Sequence, residues 1–510
     1  MKSGVTPVDV AVGLLVPVVV YLLLAVAKFL RKYWRRFRVG WQFPSLPYHW
    51  LYGNSHLIDG YLGDRYLSMT LEVVKKHPHG QSFWLVGFMP CTVLTHPATI
   101  KQLLKASTKK SLDYDQLRPW LGNGLIMSAG DVWKVHRRLL TPAFHFDILK
   151  QYVSVYNRAA EQMIEKLSKL TGKEESFEMF QQASLCTMEV ILQCAFSGGE
   201  MSEQTRNEYV EAVKRIGILQ VERNFNPLYM LFTTIYHLSP GGREFLRLCD
   251  FVHDTGDAII KKRRHELERN PEILAEKKRL DFLDILLTAR DEDGGRGLTD
   301  LEIREEVDTF LFAGHDTTAS ALSWTLYSLA QHPHHQDKVR EEVDQLLAGR
   351  EEDTIEWEDL HKLPYLTMCL KEAMRLHSPV PFISRTVTED TVIDGVHIPE
   401  DSYIGIHLYG LHHNPDIWGP QHMKFDPSRF HPDRMKDMDS HAFMPFSAGQ
   451  RNCIGQNFAL NEEKVILARL LHKFTFALDP ARPVEKDMIV VMKTRHGMWM
   501  KVKAVGQTAD

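Results

Sequence analysis

One loop holds the residues best suited to chemistry: Phe446-Ser-Ala-Gly449-Gln-Arg451-Asn-Cys453-Ile-Gly455. A helix is predicted to begin just after Cys453, and the N–H groups and dipole of a helix N-terminus favour a thiolate over a thiol. Gly449 and Gly455 let the backbone approach a bulky, flat group or adopt a positive φ. Arg451 adds a fixed cation, and Phe446 is placed to shield the sulfur. Together these features match a thiolate ligand to haem iron.

The alternatives for Cys453 are an inert buried thiol and a catalytic Cys–His pair. No protease-type pattern surrounds this cysteine, and the five fixed positions of F-x-x-G-x-R-x-C-x-G argue against an inert thiol. The loop resembles the haem-binding loop of the cytochrome P450 superfamily. That resemblance implies that Cys453 is the axial iron ligand and that Arg451 faces a haem propionate. Phe446 and Gly455 are then expected to lie against the haem.

A second motif, KEAMRLHSP, places Glu372 and Arg375 three residues apart on one predicted helical face. Taken alone, such a pair is often an exposed ion pair of little energetic value. The superfamily resemblance implies instead that it is the E-x-x-R pair, which locks the core behind the haem. Arg429, in FDPSRF, resembles the third member. The family often has Glu where this chain has Ser428, a departure that leaves the arginine in place.

Three more residues are implied to reach the haem propionates. Trp133 and Arg137, in DVWKVHRRLL, stand four residues apart and so share a helical face. Arg385, in PFISRT, resembles the remaining propionate partner. Guanidinium groups suit these positions because they bind carboxylates with two parallel hydrogen bonds. W-x-x-x-R is a weak pattern alone, and it gains weight only from its place in the chain.

The run Ala313-Gly314-His315-Asp316-Thr317-Thr318 lies within a long predicted helix. Gly inside a helix costs about 1 kcal/mol relative to Ala, and Asp and Thr side chains compete for backbone partners. We therefore expect a local helix distortion with room for a small ligand and ordered water; the alternative is an accidental polar cluster. The resemblance implies that Asp316 and Thr317 form an acid–alcohol pair that delivers protons during oxygen activation.

Three segments narrow the resemblance: EVDTFLFAGHDTT, LTPAFHFDILK and PFSAGQRNCIGQNFA. They resemble family 4 of the superfamily, the fatty-acid and eicosanoid ω-hydroxylases. Many members of that family have a Glu at the position of Ala313, and that Glu becomes esterified to a haem methyl. A methyl side chain cannot form an ester, so we expect non-covalent haem b. The rigid haem placement associated with strict terminal-carbon selectivity is therefore not implied.

The resemblance implies a haem-thiolate monooxygenase that inserts one oxygen atom of O2 into a C–H bond of a lipophilic substrate, at or near the ω carbon of a fatty acid or eicosanoid. Electrons are expected from NADPH through a separate reductase, with cytochrome b5 as a further partner. Gly122 and Gly124 do not match the G-x-G-x-x-G spacing of a nucleotide site. Lys134 and Arg138 are candidates for the reductase docking face, or for an ordinary solvated face.

Other functions remain open at this point. A haem-thiolate isomerase or dehydratase needs no external electrons, and the presence of Asp316 and Thr317 argues against it. A monooxygenase of xenobiotics or sterols and a haem-based sensor are further alternatives. Segments 120–126, 216–232 and 380–383 resemble the regions that line the family's pocket, and their apolar content suits a lipid chain.

The elements that must position these residues are mostly helical. Mixed apolar and charged positions at helical spacing predict helices near 149–170, 176–196, 203–220 and 244–268. Thr299 and Glu302 form a predicted capping box that starts a helix from Asp300 to about Ala330. Strand signals cluster near 81–95, 384–398 and 488–503, and a polar loop is predicted at 291–297. The expected class is mainly α with a minor, segregated β-sheet.

The first forty residues predict a membrane anchor. Val10–Ala27 is an uncharged run of a length near a bilayer core, followed at once by six basic residues between Lys28 and Arg38. The positive-inside rule then places everything after it in the cytosol, and the family resemblance implies the endoplasmic reticulum membrane. A cleaved signal peptide is disfavoured because the charges follow the apolar run, and a buried core helix is the other alternative. We expect an anchor and basic flank at 1–40, a Pro-containing linker at 41–50 and a catalytic domain at 51–510.

Composition excludes several classes of protein. The chain of 510 residues carries a net charge of −4, with the excess of basic residues confined to its first forty. A basic end on an acidic body argues against a nucleic-acid binder. The six cysteines contain no C-x-x-C, so neither a disulfide framework nor a four-ligand zinc site is expected.

Overall fold

The structure is a computed structural model that describes residues 7–58, 62–173, 175–198, 201–272, 274, 280–289 and 297–506, with side chains from residue 16 onward. Helices dominate it and the strands gather in small sheets, so the predicted fold class is confirmed. Residues 291–296 of the predicted polar loop lie outside the described residues.

The helices of the described residues run through the whole chain, and the four predicted near 149–268 are all present with shifted ends. Their bounds are α1 Pro7–Val39, α2 Asp64–Lys76, α3 Pro97–Ala106, α4 Leu112–Asp115, α5 Arg118–Leu121, α6 Gly130–Leu140, α7 Phe146–Ser168, α8 Met179–Ala195, α9 Glu203–Phe225, α10 Pro227–Leu231, α11 Thr233–Leu238, α12 Pro240–Arg269, α13 Phe282–Thr288, α14 Asp300–Gln331, α15 Pro333–Leu347, α16 Pro364–His377, α17 Leu408–His412, α18 Pro415–Trp418, α19 Pro432–Met435 and α20 Gln456–Lys473.

The strands form one four-stranded sheet, in the order β1-β2-β7-β4, and three smaller sheets, β3-β11-β8, β9-β10 and β5-β6. In the largest sheet only the β2–β7 pair is parallel. The bounds are β1 Gly80–Val86, β2 Met89–Leu94, β3 Phe177–Glu178, β4 Phe382–Thr386, β5 Thr391–Ile393, β6 Val396–Ile398, β7 Tyr403–His407, β8 Phe474–Leu478, β9 Lys486–Met488, β10 Met492–Thr494 and β11 Trp499–Ala504.

Helix α14 crosses the core and begins at the predicted capping box. The Thr299 hydroxyl accepts a hydrogen bond from the Glu302 N–H at 3.2 Å, and the Glu302 carboxylate accepts one from the Thr299 N–H at 2.8 Å. With 32 residues the helix is roughly 48 Å long. Most of its side chains are buried, which a helix surrounded by other elements requires.

The expected distortion of α14 at Gly314 is not observed, since the α-helix runs unbroken from Asp300 to Gln331. Thr317 and Thr318 donate their hydroxyl hydrogen bonds to the carbonyl oxygens of Ala313 and Gly314, at 2.7 and 2.9 Å, without interrupting the helix. Gly314 has a packing role instead. A Cβ there would lie 2.6 Å from Cδ1 of Ile191, so the glycine allows α8 and α14 to approach closely.

A second buried feature fixes the region around α16. Arg375 donates two hydrogen bonds to the Glu372 carboxylate, both at 2.7 Å, and neither side chain is exposed. Arg375 also donates to the carbonyl oxygens of His412 and His422, at 2.8 and 2.7 Å. Nε of Arg429 lies 3.5 Å from the Glu372 carboxylate. The structure therefore brings together the three residues that the sequence grouped. Their contacts connect α16 to the backbone of the segments that follow it.

Helix α1 includes the predicted apolar run, but residues 10–15 of that run lie outside the described side chains. Among the described residues, no helix is identified as long and apolar enough to cross a membrane. The end of α1 is tied to the body, where Phe37 packs edge-on against Trp84 at 5.2 Å and Lys32 pairs with Asp401 at 2.6 Å.

We expect Glu372→Gln to lower the free energy of unfolding by about 3–5 kcal/mol, because it leaves the buried Arg375 cation without its counter-ion. The matched control is Asp337→Asn, which breaks an exposed pair of the same spacing with Arg340. That variant should cost less than about 1 kcal/mol. Urea unfolding followed by circular dichroism measures both, and equal effects would contradict the buried-pair interpretation.

Candidate active site

The loop before α20 is shaped by its own backbone. The N–H of Cys453 donates to the Phe446 carbonyl at 2.9 Å, and the N–H of Asn452 donates to the Gly449 carbonyl at 3.2 Å. Gly449 adopts φ +71°, a left-handed conformation that favours glycine. Five of the six cysteines are buried, whereas the Cys453 side chain is exposed. The loop therefore presents this one thiol at a surface.

The ionisation of Cys453 depends on more than the start of α20. The pKa of the exposed thiol is nevertheless raised, because the protein groups around it displace part of the water that would solvate a thiolate, while the Gly455 N–H and the Arg137 cation act to lower it. The expectation that the helix start by itself favours the thiolate is therefore not met. A metal cation bound to sulfur supplies the missing stabilisation, since a coordinating thiol is deprotonated by the metal charge. The donor fits haem iron in this respect.

One face of α14, here called the open face, is less tightly covered by neighbouring side chains than the rest of the helix. Between Glu306 and Leu326 every residue of the helix is buried except Ala313, Gly314 and Thr317, which share a face at helical spacing. Phe144 connects this region to the thiol loop. Its ring lies 5.7 Å from that of Phe310, one turn before Ala313, and 3.7 Å from the position of a Cβ on Gly455.

Cations gather beside the loop in a group of Lys110, Arg385 and Arg451. Burial, together with the charges of Arg385 and Arg451, holds the pKa of Lys110 well below its usual value. Burial and Arg385 likewise lower the pKa of Arg451 to about 10. Arg385 is 1% exposed, and its Nε–H has no hydrogen-bond partner among the described residues. The Arg451 guanidinium lies 4.3 Å from the Trp133 ring centroid.

This cation group fits the propionates of a haem. Buried like charges raise one another's energy, and an unpartnered buried guanidinium N–H costs free energy unless an anion accepts from it. Asp113 is the carboxylate that acts on Lys110, but it accepts hydrogen bonds from Ser111 and Ser384. Two further anionic groups would offset the remaining positive charge.

Arg137 occupies a different place from this group. It donates to the carbonyl oxygen of Asn452 at 2.9 Å and to the side-chain oxygen of the same residue at 3.0 Å. In this position the guanidinium supports the loop residue next to Cys453. Contact with a propionate stays a prediction for Trp133 and Arg137.

Asp316 and Thr317 are adjacent but differently engaged. The Asp316 carboxylate lies 2.5 Å from Nζ of Lys493, and both side chains are buried. The Thr317 hydroxyl donates to the Ala313 carbonyl, as described above. Lys493 belongs to β10, so a strand near the chain end positions an acid on the central helix. Nothing in the local sequence pattern marked Lys493 as the partner.

Other residues of the site also escaped sequence reasoning. The buried Glu306 carboxylate accepts from the Leu125 N–H at 3.0 Å and lies 2.7 Å from Nδ1 of His136, whose pKa it raises. Gly122 and Gly124, rejected as a nucleotide motif, allow their loop to pack on α14. Side chains there would meet Glu305 and Thr309 at 2.3 Å.

Comparison with known proteins decides the family. The model of the family described as Cytochrome P450 matches residues 44–500. This chain belongs to the cytochrome P450 family. It is 41% identical to "Cytochrome P450 4F12" of Homo sapiens over 98% of this chain and 97% of that protein. It is also 40% identical to "Leukotriene-B4 omega-hydroxylase 3" of Mus musculus, over 93% and 92% of the two chains.

The resemblance to family 4 is thereby confirmed, and a third relative agrees with it. "Cytochrome P450 4F6" of Rattus norvegicus is 45% identical over 82% of this chain and 80% of its own length. The protein is a cytochrome P450 monooxygenase, with a haem-thiolate cofactor, a redox partner, O2 and a lipophilic substrate as the family implies.

We expect Cys453→Ser to abolish the reduced, carbon monoxide-bound spectrum typical of thiolate-ligated haem, because a hydroxyl does not replace the thiolate ligand. Cys186→Ser is the control, since that thiol is buried in the core and its pKa is raised by burial. It should keep the spectrum. An unchanged spectrum in the Cys453 variant would show that another residue ligates the iron.

Proposed function

We propose that this P450 hydroxylates fatty acids or eicosanoids at or near the terminal carbon. The observation that carries the proposal is the 40% identity, over most of both chains, to a protein named as a leukotriene-B4 ω-hydroxylase. The residues around the open face of α14 agree with an apolar substrate. Trp120 and Leu125 are buried nearby, and the Trp120 ring lies 4.5 Å from that of Phe312.

The haem would be held by residues already described. Cys453 would bind the iron, and Arg385, Arg451 and Lys110 would face the propionates. When bound, haem with a thiolate ligand supplies the chemistry of O–O cleavage and oxygen insertion. Phe446, Gly455, Trp133 and Arg137 would surround the proximal side and the edge of the macrocycle.

Proton supply falls to Asp316, Thr317 and Lys493. Nζ of Lys493 lies 2.5 Å from the Asp316 carboxylate and fixes its position beside the open face of α14, where a carboxyl group is able to exchange protons with water. Thr317 lies on the same open face. Its hydroxyl is able to give up its hydrogen bond to the Ala313 carbonyl and donate to a different acceptor. The pair would then pass protons from the interior of the protein to the reacting oxygen.

We also propose a single-pass anchor in the endoplasmic reticulum membrane, with the catalytic domain in the cytosol. The support is a group of exposed apolar side chains on α1, followed by basic residues. The exposed apolar side chains are Val16, Val18, Val19, Val20, Tyr21, Leu22, Leu23, Leu24, Val26, Phe29 and Leu30.

NADPH-dependent reductase, with cytochrome b5 as an accessory donor, would approach the side of α6, where Lys134 is 69% exposed and Arg138 lies one turn further along the helix.

The proposed reaction is tested with purified enzyme, reductase, NADPH and a panel of saturated fatty acids and eicosanoids. We expect NADPH-dependent products oxidised at or near the terminal carbon, identified by mass spectrometry. Asp316→Asn should lower kcat by roughly 10²–10⁴-fold, the range for loss of a positioned proton donor. Asp337→Asn, on the surface of α15, is the control and should not change kcat. Absence of product across the panel would contradict the proposal.

Haem attachment is tested separately. We expect acid denaturation and chromatography to release all haem from the polypeptide, because Ala313 has no carboxylate to esterify. Ala313→Glu should leave part of the haem on the polypeptide after turnover. Haem that stays attached to the unmodified chain would contradict the assignment of non-covalent haem b.

A further inference from the structure

A buried arginine near the end of α9 has fewer partners than its charge requires. The side chain of Arg223 is only 3% exposed, and its Nη2–H donates to the Thr233 hydroxyl at 2.8 Å. Its Nε–H and Nη1–H groups have no hydrogen-bond partner, and no carboxylate of the described residues forms an ion pair with it. Burial without an anion lowers the pKa of the guanidinium. Such an arrangement is costly unless an anionic ligand completes it.

Two neighbours add unpartnered polar atoms to the same place. The guanidinium lies 4.7 Å from the ring centroid of Tyr236, whose buried hydroxyl has no partner among the described residues. Nε2 of His237 is also buried without a partner. Burial raises the pKa of Tyr236 to about 12, so its hydroxyl stays protonated and able to donate. The three side chains together carry one fixed positive charge and several free donors, which suits one singly charged carboxylate.

Arg223 lies on a helix that contacts α14, the helix that carries Asp316 and Thr317 and is called the catalytic helix below. Tyr209, Ile216 and Arg223 are seven residues apart and lie on one face of α9. At the start of this face the Tyr209 ring lies 5.8 Å from that of His315, the neighbour of Asp316. Arg223 lies fourteen residues further along, or roughly 21 Å away. Helix α9 thus connects the Arg223 cluster at one end with α14 at the other.

The surroundings suit an amphiphile. The segment just beyond α9 carries large apolar side chains that are between 41% and 71% exposed, namely Leu228, Leu231, Phe232, Ile235 and Leu238. Asn226 begins α10 by accepting from the Leu228 N–H at 3.0 Å, which turns this apolar segment around the arginine. A buried cation beside an exposed apolar surface matches a carboxylate attached to a hydrocarbon chain.

We propose that Arg223, with Tyr236 and His237, binds the carboxylate of the fatty-acid substrate. The inference rests on the proposed function and deepens it, because it explains how the chain would be held by the end opposite to the site of oxidation. An anionic phospholipid head group offers similar oxygen acceptors. The free carboxylate is favoured because Arg223 lies on the face of α9 that leads to the catalytic helix.

The test compares a fatty acid with the uncharged primary alcohol of the same chain length. Full-length haem-loaded enzyme is titrated with each ligand by calorimetry, in vesicles of phosphatidylcholine alone and in vesicles that also contain phosphatidylserine, and turnover is measured with reductase and NADPH. We expect Arg223→Met to weaken binding of the acid by roughly 10–100-fold, the range for a lost charged hydrogen bond, and to leave the alcohol unchanged. Arg223→Lys should recover part of the loss.

The matched control is Arg215→Met on the same helix. Arg215 already forms two hydrogen bonds with Glu244, at 2.9 and 2.8 Å, so its loss should not change the ratio of acid to alcohol affinity. Thermal unfolding of each variant confirms that it is folded. Tyr236→Phe should weaken acid binding less than Arg223→Met, because the cation remains.

Three outcomes would overturn the inference: no preference of the unmodified enzyme for the acid, an equal loss for acid and alcohol in Arg223→Met, or a loss confined to vesicles that contain phosphatidylserine. The last result would assign the cluster to a membrane lipid. Calorimetry reads the carboxylate site even when no product forms. Acid-specific binding without hydroxylation would therefore support the cluster while contradicting the proposed reaction.

Discussion

Arg385 is buried, Arg451 and Lys110 lie partly buried close to it, and the described residues supply fewer carboxylates than cations to offset the mutual repulsion. Buried charge of one sign is stable only when opposite charge lies beside it, and a ligand supplies that charge where side chains do not. A related constraint applies to the Cys453 thiol, because the protein around it displaces solvating water and so opposes ionisation until a cation binds. In the proposed assignment, a bound haem would offset charge on both sides of the loop, at the Cys453 thiol and at the cation group.

Other buried charges differ in whether they are paired with an opposite charge. Glu372 and Arg375 satisfy each other and the backbone around them, which makes them part of the fold. Asp316 and Lys493 also form a close pair, but theirs adjoins the one open face of α14. Arg223 is the opposite case, since most of its donors have no acceptor in the part of the chain that the structure describes. The pair of Glu372 and Arg375 therefore serves the fold, whereas Arg223 keeps donors that an anionic ligand would occupy.

Close packing of backbone segments against α14 explains the positions of three glycines. Gly314 is required because α8 crosses α14 at Ile191, and Gly122 and Gly124 are required because their loop lies on the same helix. These glycines surround the helix that carries the acid and the alcohol, so close approach of the backbone fixes where the polar groups lie. The uninterrupted helix shows that two threonine hydroxyls bonded to carbonyls one turn earlier do not break a helix that its neighbours hold on nearly all sides.

The sequence by itself determined the features that depend on neighbours in the chain. The capping box at Thr299, the loop around Cys453 and the shared face of Glu372 and Arg375 all follow from spacings of a few residues, as does the mainly helical class. Only the tertiary structure decided that Lys493 pairs with Asp316, that Lys110 joins the two arginines, and that Arg223 lacks an anion. Those facts depend on burial and on contacts between segments far apart in the chain, and the energy of a charge is set by its surroundings rather than by its position in a motif.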